Sequence, residues 1–536
     1  MQIKSIDYSH LPFSDLYKTY VSDYSKVDRF YNGNPLNEDE ISGFYKKNVA
    51  VTDRVETVKL LKDFNNGFDL DPLAQKNIER LADEKAQTVV TGQQLGIYGG
   101  PLFTVYKALT AIVFARRMEK KTGNPVIPVF WLADEDHDYE EIASVRFPNR
   151  DTIHSIKLDA FNEKNHAVSE LVIPDRFTDF RNEVKEKLRE TDFSESLWDL
   201  LDECYRPGVT FRVAFGKLIS QLFSKHGMIL AGSHDKNIKR YLLQQLQSSV
   251  ENASEIGEAL ERQSGKLADV YHQQAQTDSS LLFMHSGEGR VRISFEDGIW
   301  KYGDREEWPS VELKKMIEKN PERFSPNVFL RPVLQDALLP NRAYVAGPGE
   351  LAYYGQMKTL YPIFNMEMPF IIPRMSATLI ESSISRIMDD LPFDFTDYKK
   401  RIEDLESDYV DRTNTMDVNE YFKQWKKDVD ELSENKTKAI QNIDQTLKGA
   451  AEKANSSYYH ALDGLKGKVF RAIKQQNDIQ IKRIRKIHTH LFPEQELQER
   501  KFSFIYYMNK YGVDIWDRVL TKIDEETFDT HKLINI

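Results

Sequence analysis

The predicted fold rests on residues 88–101, which read Thr88-Val89-Val90-Thr91-Gly92-Gln93-Gln94-Leu95-Gly96-Ile97-Tyr98-Gly99-Gly100-Pro101. This stretch is typical of a buried strand that runs into a glycine-rich turn and then into a helix. A second apolar strand, Val126–Leu132, follows that helix and ends in an acidic segment, Asp134-Glu135-Asp136-His137-Asp138. Strands that alternate with helices indicate a parallel sheet. Ligands of such sheets bind at the carboxyl ends of the strands, so we expect both polar segments to face one site.

The same pattern returns later in the chain. Ala343–Ala346 predicts a strand, Gly347-Pro348-Gly349 predicts a turn, and residues 369–372 predict another strand that ends just before Arg374. These segments place further polar groups at the same edge of the sheet. We therefore predict the α/β fold class, with a parallel sheet as its core.

Composition predicts how the domains are arranged. Residues 1–390 form the predicted core, with insertions near 145–210 and 236–325, where short strands and polar helices are expected. Residues 391–491 form a predicted α-helical coiled-coil region. Phe492-Pro493 ends the helical pattern, and the rest of residues 492–536 is expected to form a cap that packs on the core.

The helical region has an amphipathic pattern. Residues 421–491 contain no proline, and their apolar residues recur mostly at spacings of three and four. Gly464 and Gly467 predict a bend or a turn within it. One long helix of this kind cannot hide its own apolar seam, so the pattern predicts a homodimer. A helix pair folded back on itself is the alternative.

Bulk composition excludes some classes of function. The chain has 536 residues and a net charge of −11, which argues against a general nucleic-acid binder. We find no apolar signal core at the N-terminus and no apolar run of membrane-spanning length. The single cysteine, Cys204, lies beside acidic residues and is expected to be structural. A reducing cytoplasm is the expected compartment.

The glycine-rich turn is a candidate anion site. Gly99 and Gly100 would let backbone N–H groups approach a phosphate or carboxylate at the start of a helix. Gln93 and Gln94 can donate hydrogen bonds without adding charge, and Lys107 lies on the helix that follows. The alternative is a tight turn that only packs.

The acidic segment is the second candidate. Its carboxylates could bind Mg²⁺ or a substrate ammonium group, and His137 could accept a proton. Asp136 and Asp138 should favour the imidazolium form, in which case His137 would be charged and structural, and Glu135 or Asp136 would hold the ammonium. The alternative is a helix N-terminal cap. A zinc site is disfavoured because no second histidine lies nearby in the sequence.

Two later motifs extend the predicted site. Residues 347–352 formally match the dinucleotide fingerprint, but a polar turn that brings Glu350 and Tyr353 to the cleft is favoured. Arg374 could neutralise a phosphate in a transition state, and Arg331 is a similar case. A surface arginine after a strand is the alternative for both.

Several motifs together resemble one known family, the bacillithiol cysteine-adding enzymes called BshC. The motifs span the chain: Thr91-Gly92-Gln93-Gln94, Gly99-Gly100-Pro101-Leu102-Phe103, Phe130-Trp131-Leu132-Ala133, Glu135-Asp136-His137-Asp138, Gly347-Pro348 with Glu350 and Tyr353, Leu491-Phe492-Pro493, and Leu497-Gln498-Glu499-Arg500. The resemblance implies a Rossmann-like core of the nucleotidyltransferase type, inserted connecting subdomains and a coiled coil that dimerises. It also implies an activity, the joining of cysteine to the amine of glucosaminyl malate.

Amide formation of this kind needs an activated carboxylate, and ATP with Mg²⁺ is the simplest activating agent. The predicted catalytic residues are His137, Asp136 and Arg374. The predicted substrate-binding residues are Gln93, Gln94, Gly99, Gly100, Lys107, Trp131, Glu135, Asp138, Glu350 and Tyr353, and no resident metal is expected. The synthetase signatures that the family fold implies are incomplete here, so a nucleotide- or metabolite-binding scaffold is the alternative. A metal-dependent hydrolase that uses Asp134, Asp136 and His137 is a third hypothesis.

Overall fold

A computed structural model describes six stretches of the chain: residues 1–46, 53–159, 166–287, 289–303, 306–413 and 417–536. These residues divide into two compact units. The first comprises residues 1–147, 154–379 and 499–534, and the second comprises residues 148–153, 380–498 and 535–536.

A five-stranded parallel sheet forms the centre of the first unit, which confirms the predicted fold class. Its strands are β1 (Gln87–Gln93), β2 (Val126–Leu132), β3 (Ile229–Gly232), β4 (Asn341–Ala346) and β5 (Phe370–Pro373). Their order across the sheet is β3-β2-β1-β4-β5. The chain therefore builds outward from β1 to one side and then returns to add β4 on the other. Such a switch point opens a crevice at the carboxyl ends of the strands.

The strands are apolar because both faces of the sheet are covered. Every residue of β2 is buried, as expected for a strand in a parallel sheet. Four helices lead between the strands: α1 (Leu102–Thr122), α2 (Phe211–Phe223), α3 (Leu330–Leu338) and α4 (Pro348–Tyr354).

The remaining elements of the first unit surround this core. Its further helices are Asp15–Ser22, Glu38–Tyr45, Arg54–Asn65, Pro72–Arg80, Tyr139–Ile142, Phe177–Lys187, Ser194–Cys204, Lys236–Tyr241, Leu243–Glu251, Ala253–Ala268, Ser310–Lys319, Ile505–Tyr511 and Ile515–Ile523. A small antiparallel sheet consists of Leu282–Ser286, Gly289–Arg292 and Phe324–Pro326. A second one consists of Ser294–Glu296, Ile299–Tyr302 and Glu306–Pro309. Cys204 is buried, and burial raises the pKa of its thiol to about 12, so the thiol is inert.

The second unit is helical, as the coiled-coil pattern predicts. Its helices are Ser382–Asp389, Ile402–Thr413, Val418–Ile443, Lys448–Gln476 and Asp478–Leu491. The predicted bend at Gly464 and Gly467 is wrong, because one helix runs through both glycines. A glycine inside a helix costs only about 1 kcal/mol, which is too little to break so long an element.

The turn lies instead at Asp444. This residue has an extended backbone, and its carboxylate accepts a hydrogen bond from the N–H of Thr446. Beyond the turn, helix Lys448–Gln476 packs back along Val418–Ile443, and Phe422 and Leu462 are buried in the core that the pair shares. Among the residues that the structure describes, no helix combines the length and the apolar character needed to cross a membrane.

A buried ion pair joins the end of β5 to the C-terminal part of the first unit. Arg374 is 2% exposed and Glu499 is 0% exposed, and the guanidinium lies 2.8 Å from the carboxylate. Glu499 also accepts hydrogen bonds from the hydroxyl of Ser376 and the N–H of Ala377. Burial alone would raise the pKa of Glu499, but the charge of Arg374 and the hydrogen bonds to the carboxylate together hold the pKa below its usual value. Both groups are therefore charged in the folded protein.

We predict that Glu499→Gln lowers the free energy of unfolding by about 3–5 kcal/mol, because it leaves the Arg374 charge buried without its partner. The matched control is Lys59→Ala, which removes an exposed ion pair with Glu56 and should cost at most about 1 kcal/mol. Chemical denaturation measures both. Equal losses in the two variants would contradict a structural role for the buried pair.

Candidate active site

A cavity of about 560 Å³ lies at the carboxyl ends of the central strands, beside the switch point between β1 and β4. The ends of β1 and β2 contribute Gln93 and Trp131, and the chain directly after β2 contributes residues 133–136. Other lining residues come from α3, α4 and the first small sheet. The cavity therefore lies where the sequence predicts a ligand.

Gly92 lets β1 and β2 meet at this edge. It pairs with Trp131 across the sheet, and a Cβ on it would lie 2.7 Å from the carbonyl oxygen of Trp131. A side chain at this position would therefore push the two strands apart where they enter the cavity.

Lys107 and Glu350 form the floor of the cavity. The ammonium of Lys107 lies 2.6 Å from the Glu350 carboxylate and also donates to the carbonyl of Gly92 and the amide oxygen of Gln93. Glu350 in turn accepts hydrogen bonds from the N–H of Gly347 and from a buried tyrosine hydroxyl. Burial would raise the pKa of Glu350, but Lys107 and these donors hold it below its usual value. The Glu350 carboxylate thus occupies the N-terminus of α4, where a dinucleotide phosphate would bind if residues 347–352 acted as a dinucleotide fingerprint.

The carboxylates of the acidic segment have different partners. Asp134 is buried and accepts hydrogen bonds from the backbone N–H groups of Ser233 and His234, and burial raises its pKa to about 6. Glu135 forms a buried ion pair with Lys239 and accepts a hydrogen bond from the hydroxyl of Ser233. These two acids therefore brace the loop after β3 against the end of β2.

Asp136 is a cavity-lining acid of the segment that is also partly exposed. Its side chain is 31% exposed, and it accepts hydrogen bonds from the amide of Gln94 at 2.6 Å and from the N–H of His137. Helix capping explains little of this arrangement: the helix that follows spans only Tyr139–Ile142, and Asp138 makes no side-chain hydrogen bond to it. Asp136 can therefore receive a cationic group of a ligand.

The structure corrects one expectation for His137. Burial and the nearby charge of Arg290 lower its pKa, and they outweigh Asp136 and Asp138, which raise it. Nδ1 of His137 lies 3.1 Å from Arg290, and a guanidinium can only donate, so this nitrogen is the acceptor. The imidazole is therefore neutral near pH 7, not the imidazolium that its acidic neighbours suggested. The sequence could not show Arg290, which is more than 150 positions away.

Most of the predicted site residues meet in this cavity. The residues that line it are Gln93, Gln94, Lys107, Trp131, Glu135, Asp136, Glu350 and Tyr353. His137 reaches the lining through Arg290, while Asp138 does not belong to it. Arg374 lies behind the wall in its pair with Glu499.

Gly99 and Gly100 also lie outside the cavity lining. The position of a Cβ on Gly99 is 2.2 Å from the ring of Phe504, so this glycine is a packing contact. The first N–H of α1, on Leu102, donates to the carbonyl of Phe502. The chain thus fills the helix N-terminus that the sequence predicts as an anion site.

Two arginines and one lysine complete the candidate site. Arg331 was already a candidate from the sequence, but Arg290 and Lys239 were not. Arg290 belongs to a short strand with the alternating pattern Arg290-Val291-Arg292, which indicates one polar face without saying what it faces.

One group of side chains could hold a metal ion. Ligand atoms of Glu135, His234 and His285 all lie within 4.8 Å of one another. The fold brings together histidines that are far apart in the sequence. The Glu135 carboxylate, however, is already engaged by Lys239 and Ser233, so a metal ion would have to replace the lysine.

Comparison with known proteins gives a consistent result. The family model described as the N-terminal Rossmann-like domain of bacillithiol biosynthesis BshC matches residues 1–375, and the model of the BshC C-terminal coiled-coil domain matches residues 377–536. A relative from Salinibacter ruber, named "Putative cysteine ligase BshC", is 31% identical over 98% of this chain and 96% of its own length. A relative of the same name from Koribacter versatilis is 32% identical over 97% of each chain.

We predict that the pKa of His137 lies below 6.5, the usual histidine value. Arg290→Gln removes a positive charge that lowers it, so the pKa should rise. NMR titration of the imidazole signals, assigned with His137→Gln, measures both values. Arg292→Gln is the matched control, because Arg292 lines the same cavity but pairs with Asp278, and it should cause no shift. A pKa at or above 6.5 in the unaltered protein would contradict the assigned state.

Proposed function

The chain belongs to the BshC family of bacillithiol biosynthesis proteins, and on that premise we propose that it is a cysteine ligase. It joins the carboxyl group of cysteine to the amine of glucosaminyl malate. The observation that carries this proposal is the cavity at the sheet edge, whose lining includes an accessible acid and arginines.

The charges of the cavity suit the groups that amide formation must bring together. An amine enters as an ammonium ion, and Asp136 with its Gln94 hydrogen bond is the acceptor for it. The carboxylate partner and any phosphate are anions, and Arg290 and Arg331 are the lining groups that attract them. Trp131 adds a large apolar surface to the lining.

The carboxylate must be activated before an amine can attack it. ATP with Mg²⁺ is the simplest agent: the carboxylate attacks the α-phosphorus, pyrophosphate leaves, and the bound AMP is then a good leaving group when the amine attacks. Lys107 was a predicted phosphate ligand, but its three N–H groups are already used by Gly92, Gln93 and Glu350. In this proposal Lys107 therefore holds the floor of the cavity, and the arginines take the anionic groups.

The attacking amine must lose a proton. Neutral His137 is the proton acceptor in this proposal, since Nδ1 lies 3.7 Å from the Asp136 carboxylate that holds the ammonium. Arg290 donates to the same nitrogen in this structure, so the step requires that hydrogen bond to be exchanged. The hydrolase hypothesis has less support, because Asp134 is committed to backbone N–H groups and cannot share a metal with Asp136 without losing them.

The helical unit supports a homodimer. Leu432, Ile443 and Leu447 are 61%, 82% and 43% exposed, and all three lie toward the turn of the helix pair. The pair hides its apolar seam near Phe422 and Leu462 but not near the turn. A second copy of the chain is the partner that we propose for the exposed part.

We predict that Asp136→Asn, Gln94→Ala and His137→Gln each lower kcat/KM for cysteine ligation, with about a 100-fold loss for the histidine as a proton acceptor. The assay measures product from cysteine, glucosaminyl malate and ATP, together with AMP release. Glu140→Gln is the control, because this acid lies on the helix directly after the acidic segment but pairs with Lys157 outside the cavity. Unchanged turnover in all three variants would contradict the site. Nucleotide binding without turnover in the unaltered protein would favour the scaffold.

We also predict a dimer at micromolar concentration, which Leu432→Asp should convert to a monomer because it places a charge in the apolar contact. Sedimentation velocity distinguishes the two states. Val270→Asp is the control, since Val270 is 56% exposed in the other unit and should not change the state. A monomer for the unaltered chain would refute the proposed assembly.

A further inference from the structure

Among the described residues, no carboxylate lies within ion-pair distance of two arginines of the cavity, Arg290 and Arg331. Arg290 donates to the hydroxyl of Ser325, the carbonyl of Pro326 and Nδ1 of His137. Arg331 donates to the side chains of Gln335 and Tyr353. All of these acceptors are neutral. Within the described ranges of the chain, neither guanidinium makes an ion pair.

The other cations in and behind the cavity differ from these two. Lys107 pairs with Glu350, Arg292 pairs with Asp278, and Lys239 pairs with Glu135. The fold thus supplies a counter-ion for each of these three positive groups but not for Arg290 and Arg331. The exception falls on two residues that both line the cavity.

A guanidinium cannot escape this situation by losing its proton, because arginine stays charged in proteins. Keeping an unbalanced charge out of water is costly, and burial lowers the pKa of Arg290 for that reason. Both guanidinium groups line the cavity, so a ligand that binds there can supply the negative charge that the protein does not.

Both guanidinium groups are held ready for an oxyanion. Arg290 lies 3.9 Å above the ring of Phe283, and Arg331 lies 5.6 Å from the ring of Tyr344. Stacking on an aromatic ring fixes the plane of the group and leaves its edge for hydrogen bonding. Each group has more N–H donors than its present hydrogen bonds use. Planar donors of this kind match carboxylate and phosphate oxygens.

We propose that Arg290 and Arg331 form a receptor for the anionic end of the amine substrate, the two carboxylates of its malate group. This inference rests on the proposed function. Asp136 lines the same cavity and is partly exposed, so a ligand that carries both an amine and carboxylates finds a partner there for each kind of group. A nucleotide phosphate shares the anion chemistry but lacks the amine.

Calorimetric titration of the full-length protein tests the receptor. Glucosaminyl malate and glucosamine differ by the malate group, so the ratio of their Kd values reports the contribution of the carboxylates. We expect glucosaminyl malate to bind at least about tenfold more tightly, and Arg290→Gln or Arg331→Gln to bring that ratio close to one. Arg323→Gln is the matched control, because Arg323 contacts the same small sheet at Met284 but does not line the cavity. Unfolding midpoints show whether each variant is folded.

The outcomes separate the possible sources of the anion. A ratio that stays high in both folded arginine variants overturns the receptor. A ratio near one in the unaltered protein, with AMP binding that the variants weaken, also overturns it and assigns the arginines to a phosphate.

The receptor and the ligase can fail separately. Tight, arginine-dependent binding of glucosaminyl malate without product formation would support the receptor and refute the ligase. Normal turnover with an unchanged KM for glucosaminyl malate in both variants would refute the receptor and leave the ligase intact.

Discussion

The ion pair between Lys107 and Glu350 ties together the two halves of the central sheet. Lys107 lies on the helix after β1, and Glu350 lies on the helix after β4, so the pair spans the switch point where the cavity opens. Its hydrogen bonds also fix the last residues of β1 and the first turn after β4. Because every donor of the lysine is used, the pair acts as a rigid floor rather than as a group that moves to a ligand.

This floor determines what the walls can do. With Lys107 neutralised, the cavity still offers a ligand the carboxylate of Asp136 and the guanidinium groups of Arg290 and Arg331. Charges of both signs in one cavity orient a ligand that carries both. Burial and the charge of Arg290 keep His137 neutral, because together they outweigh Asp136 and Asp138. In the proposed function, binding and proton transfer thus depend on one arrangement of charges.

Sequence patterns predicted the sheet and the edge at which the cavity opens, because strands buried on both faces are apolar and their polar ends stand out. They also correctly predicted eight of the residues that line the cavity. They could not show which polar groups are used up by internal partners: Phe504 fills the space beside Gly99, and Glu499 engages Arg374. The sequence did not identify Arg290, because its place in the site depends on a contact with His137, which is far away in the sequence, and on the lack of an ion-pair partner. The bend predicted at Gly464 is absent from the described helix, because helix packing outweighs the low helix propensity of a single glycine.

The central claim is that the amine substrate binds Asp136 through its amine, and Arg290 and Arg331 through its carboxylates, within one cavity. A crystal structure of the protein with glucosaminyl malate tests it most directly. The account predicts the amine within hydrogen-bonding distance of Asp136 and the malate carboxylates on Arg290 and Arg331, with the Lys107–Glu350 pair unchanged beneath them. A ligand bound in another part of the molecule, or bound here with its carboxylates away from both arginines, would contradict it.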